Sequence, residues 1–282
     1  MKTTILSLLL TFATSVIWAQ KTDARYDQAK EVFPFGVVER IDSKALSEER
    51  VLNIYLPQGY HPDSSQTYPV VYVLDGSAHE DFPHIAGLMQ FLNMYALAPK
   101  SIVVGIANVD RYRDFTFPSE DKGDQKSLPT SGGAAAFMAF VEEEVLPLVA
   151  ERYPLNGEST LIGQSLGGLM TTEFLMKKPA LFSQYIIVSP SLWWNKKALV
   201  KTAKQYFKTH QEIEAKVFVS LGKEHPVMHK VADELVESIQ NSGNEKLSVH
   251  YQPILTEDHA TILHKAVYAG FEWLYPKEEE DK

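Results

Sequence analysis

The 282-residue sequence predicts an α/β fold with a mostly parallel eight-stranded sheet and helices on both faces. Short apolar runs rich in β-branched residues recur along the chain, and stretches with helical spacing separate the later runs. This alternation favours parallel strands joined by right-handed crossovers. Hydrophobic residues make up 45% of the chain, which is enough for one sizeable core. Because no repeat or linker interrupts the pattern, we expect one domain over residues 20–282, with its core at about residues 35–275.

The eight expected strands differ in how their apolar residues are arranged. The first two show a rough alternation of β-branched and polar residues, which predicts an antiparallel opening pair. Tyr68–Leu74 is a continuous apolar run, as expected of a strand that is covered on both faces. In order, the strands are expected at Phe35–Ser43, Arg50–Leu56, Tyr68–Leu74, Ser101–Ile106, Thr160–Gly163, Gln184–Ser189, Lys216–Leu221 and Leu247–Leu255.

Apolar residues spaced by three or four positions predict six helices between or after these strands. The helices are expected at Ile85–Leu97, Ala134–Tyr153, Leu166–Lys177, Lys196–Thr209, Val227–Ser242 and Ala260–Leu274. The stretch Asn108–Gly133 is instead polar and rich in charged and turn-forming residues, which predicts a long loop. A loop of this length inside a compact domain is usually either functional or disordered.

The composition excludes several classes of function. The formal net charge is −9, which argues against nucleic acid as the main partner because phosphate binding needs a basic surface. The chain has no cysteine, so disulfides, thiolate catalysis and cysteine-ligated zinc are excluded. Nine histidines are present without the HExxH spacing or another close ligand spacing, so we expect no metal and no cofactor.

The first 19 residues have the features of a secretory signal peptide. Lys2 gives a positive start, and Ile5–Ile17 is mostly apolar but too short to span a bilayer comfortably. The segment Ile17-Trp18-Ala19 resembles a cleavage site before Gln20. We therefore expect a periplasmic or secreted protein that has no membrane anchor after cleavage. The alternative for this segment is a buried first helix or strand.

The most informative motif is Gly163-Gln164-Ser165-Leu166-Gly167, which follows the pattern GxSxG. A strand is expected directly before it and a helix directly after it, which is the setting of a nucleophile elbow in an α/β-hydrolase fold. The turn is strained, and its glycines avoid a clash where the backbone is most tightly bent. We therefore expect Ser165 to be a nucleophile at the carboxyl edge of the sheet. The alternative is a structural glycine turn that contains a serine by chance.

The general base is expected to be a histidine that follows the nucleophile. A serine hydroxyl needs a base to accept its proton, and the order along this fold is serine, acid, histidine. Six histidines follow Ser165. Five lie in expected strands or helices or in a polar connection: His210, His225, His229, His250 and His264. His259 lies between the last strand and the last helix, at the same sheet edge as Ser165, so we expect it to be the base.

The acid is expected after the strand Lys216–Leu221, where Glu224 is the first carboxylate. Glu224 would orient the His259 ring and stabilise its charged form. Asp258 is the alternative, although a residue adjacent to the histidine can rarely fold back onto the ring. A surface role for Glu224 without any part in catalysis also stays open.

An oxyanion hole needs two backbone N–H donors for the negative charge that develops on a substrate carbonyl. The N–H of Leu166, directly after the nucleophile, is expected to be one of them. The second is expected from the loop after Tyr68–Leu74, at Gly76 or Ser77.

Several segments together resemble the esterase D-like family of the α/β-hydrolase superfamily, over about residues 35–275. The matching segments are Arg50–Pro57, Tyr68–Gly76, Gly105-Ile106, Arg111–Phe115, Gly163–Gly168 and Ser189–Trp194. The resemblance implies a serine esterase that forms an acyl-enzyme and acts on a small-molecule ester. The family includes feruloyl and acetyl esterases, S-formylglutathione hydrolases, mycolyltransferases and siderophore trilactone esterases. Ser189–Trp194 is most similar to the siderophore-esterase branch, some of whose members work in the periplasm.

Two departures from the family pattern leave the substrate open. Phe117 interrupts the family's Arg-Asp-hydrophobic-Thr-Pro run, and Asn195 follows the two tryptophans where the branch often has aspartate. An acyltransferase or a feruloyl or acetyl carbohydrate esterase on the same scaffold are alternatives. Some siderophore esterases use only serine and histidine, which leaves the role of Glu224 open. A non-catalytic binding protein is disfavoured because nucleophile, base and acid occur in the required order.

Four further residues are candidates for substrate binding. Trp193 and Trp194 follow the strand after the elbow helix, so we expect them at the catalytic edge. Their rings could stack on a flat aromatic acyl group such as a catechol or a ferulate, or one could be core packing. Arg111 and Arg113 could line the cleft or could pin the long loop through ion pairs. The sequence leaves the oligomeric state open.

Overall fold

The computed structural model describes residues 35–277. From Gly36 onward the described residues form one compact unit, and every element described below belongs to it. The expected signal peptide, residues 1–19, lies outside the described residues. Within the part of the chain that is described, no helix is long and apolar enough to cross a membrane.

The sheet has eight strands in the order β1-β2-β4-β3-β5-β6-β7-β8. β2 is antiparallel to both of its neighbours, and all other pairs are parallel. The strands are β1 Val37–Ser43, β2 Glu48–Tyr55, β3 Tyr68–Val73, β4 Ile102–Ile106, β5 Leu155–Gln164, β6 Gln184–Val188, β7 Ala215–Ser220 and β8 Leu247–Tyr251. The predicted mostly parallel eight-stranded sheet with an antiparallel opening pair is therefore confirmed.

Apolar residues on both faces of the central strands hold the helices against the sheet. Every residue of β3, β4 and β6 is buried. On β6, a Cβ at Gly270 of the last helix would lie 3.0 Å from Ile186 Cδ1, so that helix packs closely on this face. The preceding residue, Tyr185, packs edge-on against Phe182 in the main core. Successive strand side chains point to opposite faces, so both faces of the sheet are covered.

The helices follow the expected order, with several changes in their limits. They are α1 Asp81–Met94, α2 Arg111–Asp114, α3 Lys122–Ser127, α4 Ala134–Phe140, α5 Leu146–Arg152, α6 Leu166–Lys177, α7 Trp194–Thr209, α8 Pro226–Gln240 and α9 Leu263–Leu274. A π-helical turn, Val141–Val145, joins α4 to α5 where one continuous helix was expected. Pro147 lies in the first turn of α5 and has no N–H to donate back, which accounts for the irregular ladder at this point.

The prediction that Asn108–Gly133 is a loop without secondary structure is wrong. Two short helices, α2 and α3, lie inside it. The side chain of Asp110 accepts hydrogen bonds from two backbone N–H groups of α2, and Asp121 does the same for α3. Aspartate is one of the preferred N-cap residues, so the polar composition that suggested a loop instead begins two helices.

The first and last residues of several elements near the carboxyl edge of the sheet also differ from expectation. β5 begins at Leu155, five residues earlier than predicted. β8 ends at Tyr251 and α9 begins at Leu263, so residues 252–262 form a longer loop than the sequence indicated. Asp258 turns this loop by accepting hydrogen bonds from the N–H groups of Ala260 and Thr261. The longer loop places the expected base, residue 259, in an exposed turn.

Candidate active site

Ser165 lies in the sharp turn between β5 and α6. Its φ is 59°, a left-handed value that costs a non-glycine residue about 1–3 kcal/mol and marks strain. The Ser165 N–H donates to Val188 O at 3.0 Å, which ties the turn to the end of β6. A Cβ at Gly163 would lie 2.4 Å from Gly167 O, so only glycine allows this approach. The GxSxG motif therefore forms the elbow that the sequence predicted.

The loops that follow β7 and β8 meet beside this elbow. Gly222 allows a close backbone contact, because a Cβ there would lie 2.7 Å from Glu257 O. The Lys223 N–H donates to the same carbonyl at 2.6 Å. This contact brings Glu224 to His259, with Glu224 Oε2 2.9 Å from His259 Nδ1. The structure thus joins the two residues that the sequence assigned to acid and base.

The Glu224 carboxylate is buried and well supplied with donors. Its side chain is 4% exposed, whereas the His259 side chain is 47% exposed. Burial raises the pKa of Glu224, but hydrogen bonds from His259, Ser189 and the Gly222 N–H outweigh it and hold that pKa below its usual value. The carboxylate is therefore ionised at neutral pH, faces Nδ1, and leaves Nε2 of the ring as the nitrogen able to accept a proton.

Asp258, the alternative acid, has a different task. Its Oδ1 accepts the N–H groups of Ala260 and Thr261 at 2.9 and 3.2 Å, and the Thr261 hydroxyl lies 3.3 Å away. These bonds hold the carboxylate in the turn that follows His259. The geometry therefore separates the two candidates, since Glu224 contacts the imidazole and Asp258 contacts the turn.

A cavity of about 500 Å³ opens over the elbow. Its walls come from the turn after β6, the loops after β7 and β8, and the first turns of α8. The lining residues are Ser165, Ser191, Trp193, Lys223, Glu224, His225, Met228, Asp258, His259 and Ala260. A small ester has room to place its carbonyl against Ser165 and its acyl group against the wall that contains Trp193.

Of the three expected oxyanion donors, one is already occupied. The Gly76 N–H donates to Ile106 O at 2.9 Å, so the expectation that it serves as an oxyanion donor is wrong. Leu166 is the first residue of α6, and N–H groups in the first turn of a helix have no acceptor within the helix. Ser77 stays the candidate second donor from the loop after β3.

Arg111 and Arg113 are held in ion pairs and are absent from the cavity lining. Arg111 Nε lies 2.6 Å from Asp75 Oδ1, and Arg111 Nη2 donates to the carbonyl of Gln164, the residue directly before Ser165, at 3.2 Å. Arg113 Nη2 lies 2.6 Å from Glu48 Oε1. Of the two roles left open for these arginines, the contacts favour the second, because they pin the Asn108–Gly133 segment to the sheet and to the elbow.

The two tryptophans have different surroundings. Trp193 is partly buried and lines the cavity. Trp194 is 1% exposed, and its Nε1 donates to Phe117 O at 2.8 Å. Trp194 is therefore a core residue, with its polar atom paired as buried tryptophans require, and Trp193 alone is available to a ligand.

Sequence reasoning missed two serines in the turn after β6. The Ser191 N–H donates to Ser165 O at 2.9 Å, and the two hydroxyl oxygens lie 3.4 Å apart. The Ser189 hydroxyl donates to Glu224 Oε1. The available signal was the position of Ser189-Pro190-Ser191 directly after a buried strand at the carboxyl edge. Among residues 35–277, no group of three or more histidine, aspartate or glutamate side chains could hold a metal ion.

The eight-stranded mostly parallel sheet, the elbow and the residues around it define an α/β-hydrolase. A sequence model of the family described as "Putative esterase" matches residues 43–260, so the chain belongs to that family and is a carboxylic ester hydrolase. Ferri-bacillibactin esterase BesA of Bacillus subtilis is 26% identical over 270 residues, which cover 86% of this chain and 91% of that protein.

Solved structures agree with this assignment. An IroE-like serine hydrolase from Shewanella oneidensis is 29% identical with a TM-score of 0.76, over 85% of this chain and 80% of the other. The BES protein from Bacillus cereus is 27% identical with a TM-score of 0.76, over 88% of this chain and 97% of the other. The resemblance to the esterase D-like family and its siderophore-esterase branch is therefore confirmed.

Proposed function

We propose that this esterase cleaves its substrate through an acyl-enzyme on Ser165, and that the substrate is a siderophore ester with an aromatic acyl group. The observation that carries the first part is the contact of Glu224 with His259 Nδ1, beside a serine in a strained elbow and on one cavity. Nucleophile, base and orienting acid in this relation are the parts that acyl transfer requires.

The reaction proceeds in two halves. In the first, Ser165 Oγ attacks the ester carbonyl carbon while His259 Nε2 accepts its proton, and the Leu166 N–H donates to the oxyanion. Collapse of the tetrahedral intermediate breaks the bond to the leaving alkoxide, which takes the proton from His259. In the second, water loses a proton to His259 and attacks the acyl carbon. Collapse of this intermediate breaks the bond to Ser165 Oγ, which takes the proton back from His259 as the acid leaves.

Two observations support the choice of substrate. The Bacillus subtilis relative is named as an esterase of ferri-bacillibactin. The cavity wall formed by Trp193 offers an indole face, and aromatic rings gain stability from offset or edge contacts with such a face. We also propose that the protein acts in the periplasm or outside the cell, because residues 1–19 have the pattern of a signal peptide.

A substrate panel tests this assignment. Catecholate siderophores, feruloylated and acetylated sugars and short-chain p-nitrophenyl esters should be compared for wild type and Ser165→Ala. We expect kcat/KM to be highest for the siderophore esters and to be lost in the variant. A preference for acetylated sugars would reject the siderophore proposal, and acyl transfer to added sugar acceptors in place of water would indicate an acyltransferase.

Replacing Trp193 with leucine should change substrate preference. Leucine keeps bulk but removes the aromatic face, and contacts of this kind contribute about 0.5–1.5 kcal/mol beyond area burial. We therefore expect KM for aromatic esters to rise by several-fold to about tenfold, with little change for acetyl esters. Initial rates on a matched pair of aromatic and acetyl esters measure the ratio.

The matched control is Trp194→Leu, which alters the neighbouring indole that the cavity does not contact. It removes buried ring volume and leaves Phe117 O without its donor, so we expect a loss of about 2–4 kcal/mol in the free energy of unfolding. Its aromatic-to-acetyl ratio should stay that of wild type. If Trp193→Leu also leaves that ratio unchanged, the aromatic pocket is rejected and the esterase assignment remains.

A further inference from the structure

The turn Ser189-Pro190-Ser191 contacts both ends of the catalytic group proposed above. Through Ser191 it reaches Ser165, and through Ser189 it reaches Glu224. Glu224 Oε1 accepts the Ser189 hydroxyl, while Oε2 faces His259 Nδ1 at 2.9 Å. Oε1 therefore has two donors, the Ser189 hydroxyl and the Gly222 N–H at 3.2 Å, while Oε2 contacts the imidazole.

Ser189 has an unfavourable backbone conformation. Its φ is 43°, a left-handed value that non-glycine residues rarely adopt. The residue is completely buried, and its N–H donates to Ser220 O at 2.8 Å. A left-handed residue next to a catalytic group is a frequent sign of function, and here the conformation directs the hydroxyl at Glu224.

We propose that Ser189 is a positioning residue that fixes the Glu224 carboxylate and thereby sets the orientation and proton affinity of His259. This rests on the proposed function. A carboxylate with a free second oxygen can rotate about its Cγ–Cδ bond, and Oε2 then leaves the line to Nδ1. The Ser189 hydroxyl restrains this rotation together with the longer bond from the Gly222 N–H, which alone would hold Oε1 if the hydroxyl were removed. The hydrogen bond from this hydroxyl also offsets part of the negative charge of the carboxylate. Without the hydroxyl, the carboxylate would stabilise the imidazolium more strongly.

The effect on pH dependence has a definite sign. The acid limb of kcat/KM reports the pKa of the free-enzyme base. Loss of the Ser189 hydroxyl leaves more of the negative charge of Glu224 directed at the ring, and a nearby negative charge favours the charged form of a base. The acid limb then moves to higher pH. Lys223, His225 and Asp258 border the pair on the catalytic cavity, and Tyr251 of β8 lies beside Glu224. On α8, the titratable residues that share a second cavity with Glu224 are His229, Lys230, Asp233, Glu234 and Glu237. A substitution at position 189 leaves all of these side chains in place.

Two variants separate the hydroxyl from the backbone. Ser189→Ala removes the hydroxyl and keeps the strained φ, whereas Ser189→Gly removes the hydroxyl and relieves the strain. We expect both to lower the kcat plateau for a p-nitrophenyl ester by about three- to thirtyfold, with KM within about twofold, as for a lost bond to a charged group. Both should move the acid limb to higher pH, although the glycine variant should be the more stable of the two.

A control and a double variant complete the test. Ser220→Ala removes another completely buried hydroxyl, which donates to Gln252 O, and should lower thermal stability without moving the acid limb. In a Glu224→Gln background, Ser189→Ala should shift the limb no further, because the two residues act through one path. A limb and plateau that stay at wild-type values in both Ser189 variants would overturn the proposal. If Ser165→Ala also retains full turnover, the proposed function fails instead.

Discussion

Ser165→Ala is expected to lower ester turnover by at least about 10³-fold, since covalent catalysis is lost while the rest of the site remains. Alanine has the same Cβ as serine, so the φ of 59° is no more strained than before and the elbow should keep its shape. Initial rates with a short-chain p-nitrophenyl ester measure the loss. Circular dichroism and thermal unfolding should be the same for both proteins.

Covalent labelling provides a second measurement for the same substitution. A serine-directed phosphonate should add one mass increment to wild type and none to Ser165→Ala. Ser191→Ala is the matched control, because Ser191 Oγ lies 3.4 Å from Ser165 Oγ and lines the same cavity. Its labelling should persist and its loss of turnover should be much smaller. Labelling that survives in Ser165→Ala but disappears in Ser191→Ala would reassign the nucleophile.

The sheet could be predicted because each parallel strand is a distinct apolar run, as in Tyr68–Val73. Short elements could not be. The helices α2 and α3 depend on aspartate caps and have no periodic pattern of apolar residues, so the sequence pattern did not indicate them. The three left-handed residues Asn195–Lys197 at the start of α7 were equally unpredictable, since lysine favours helices. Two hydrogen bonds hold this turn in place: the Asn195 N–H donates to Asp124 Oδ2, and the Glu120 N–H donates to Asn195 Oδ1.

The candidate site likewise has features that the sequence predicts and features that it does not. Ser165 and His259 follow from chain order, because parallel strands bring their carboxyl ends to one edge. Whether the Gly76 N–H is free to bind an oxyanion depends on how β3 pairs with β4, because this pairing fixes Ile106 O as its acceptor. The ion pair of Arg113 with Glu48 and the contact of Ser189 with Glu224 join segments that are far apart in sequence. Such long-range polar contacts have no periodicity that a sequence can display.

His259→Ala is expected to cost as much turnover as Ser165→Ala, at least about 10³-fold, because nucleophile and base act as a unit. Glu224→Ala should cost less, about 10²-fold, since the acid orients a ring that can still accept a proton. The pKa of Glu224 lies below its usual value, so the stability that its carboxylate contributes to the fold is present above the usual value and is lost as the pH falls through the lowered pKa. The difference in the free energy of unfolding between wild type and Glu224→Ala should therefore narrow in acid.

Asp258→Ala distinguishes the remaining alternatives. Asp258 accepts turn N–H groups, whereas the imidazole contacts Glu224, so we expect about 1 kcal/mol of lost stability and turnover near that of wild type. If Glu224→Ala is silent and Asp258→Ala is not, the acid is Asp258. If neither substitution changes turnover while His259→Ala is inactive, the enzyme uses a serine–histidine dyad. The buried carboxylate of Glu224 then stabilises the loop and has no part in catalysis.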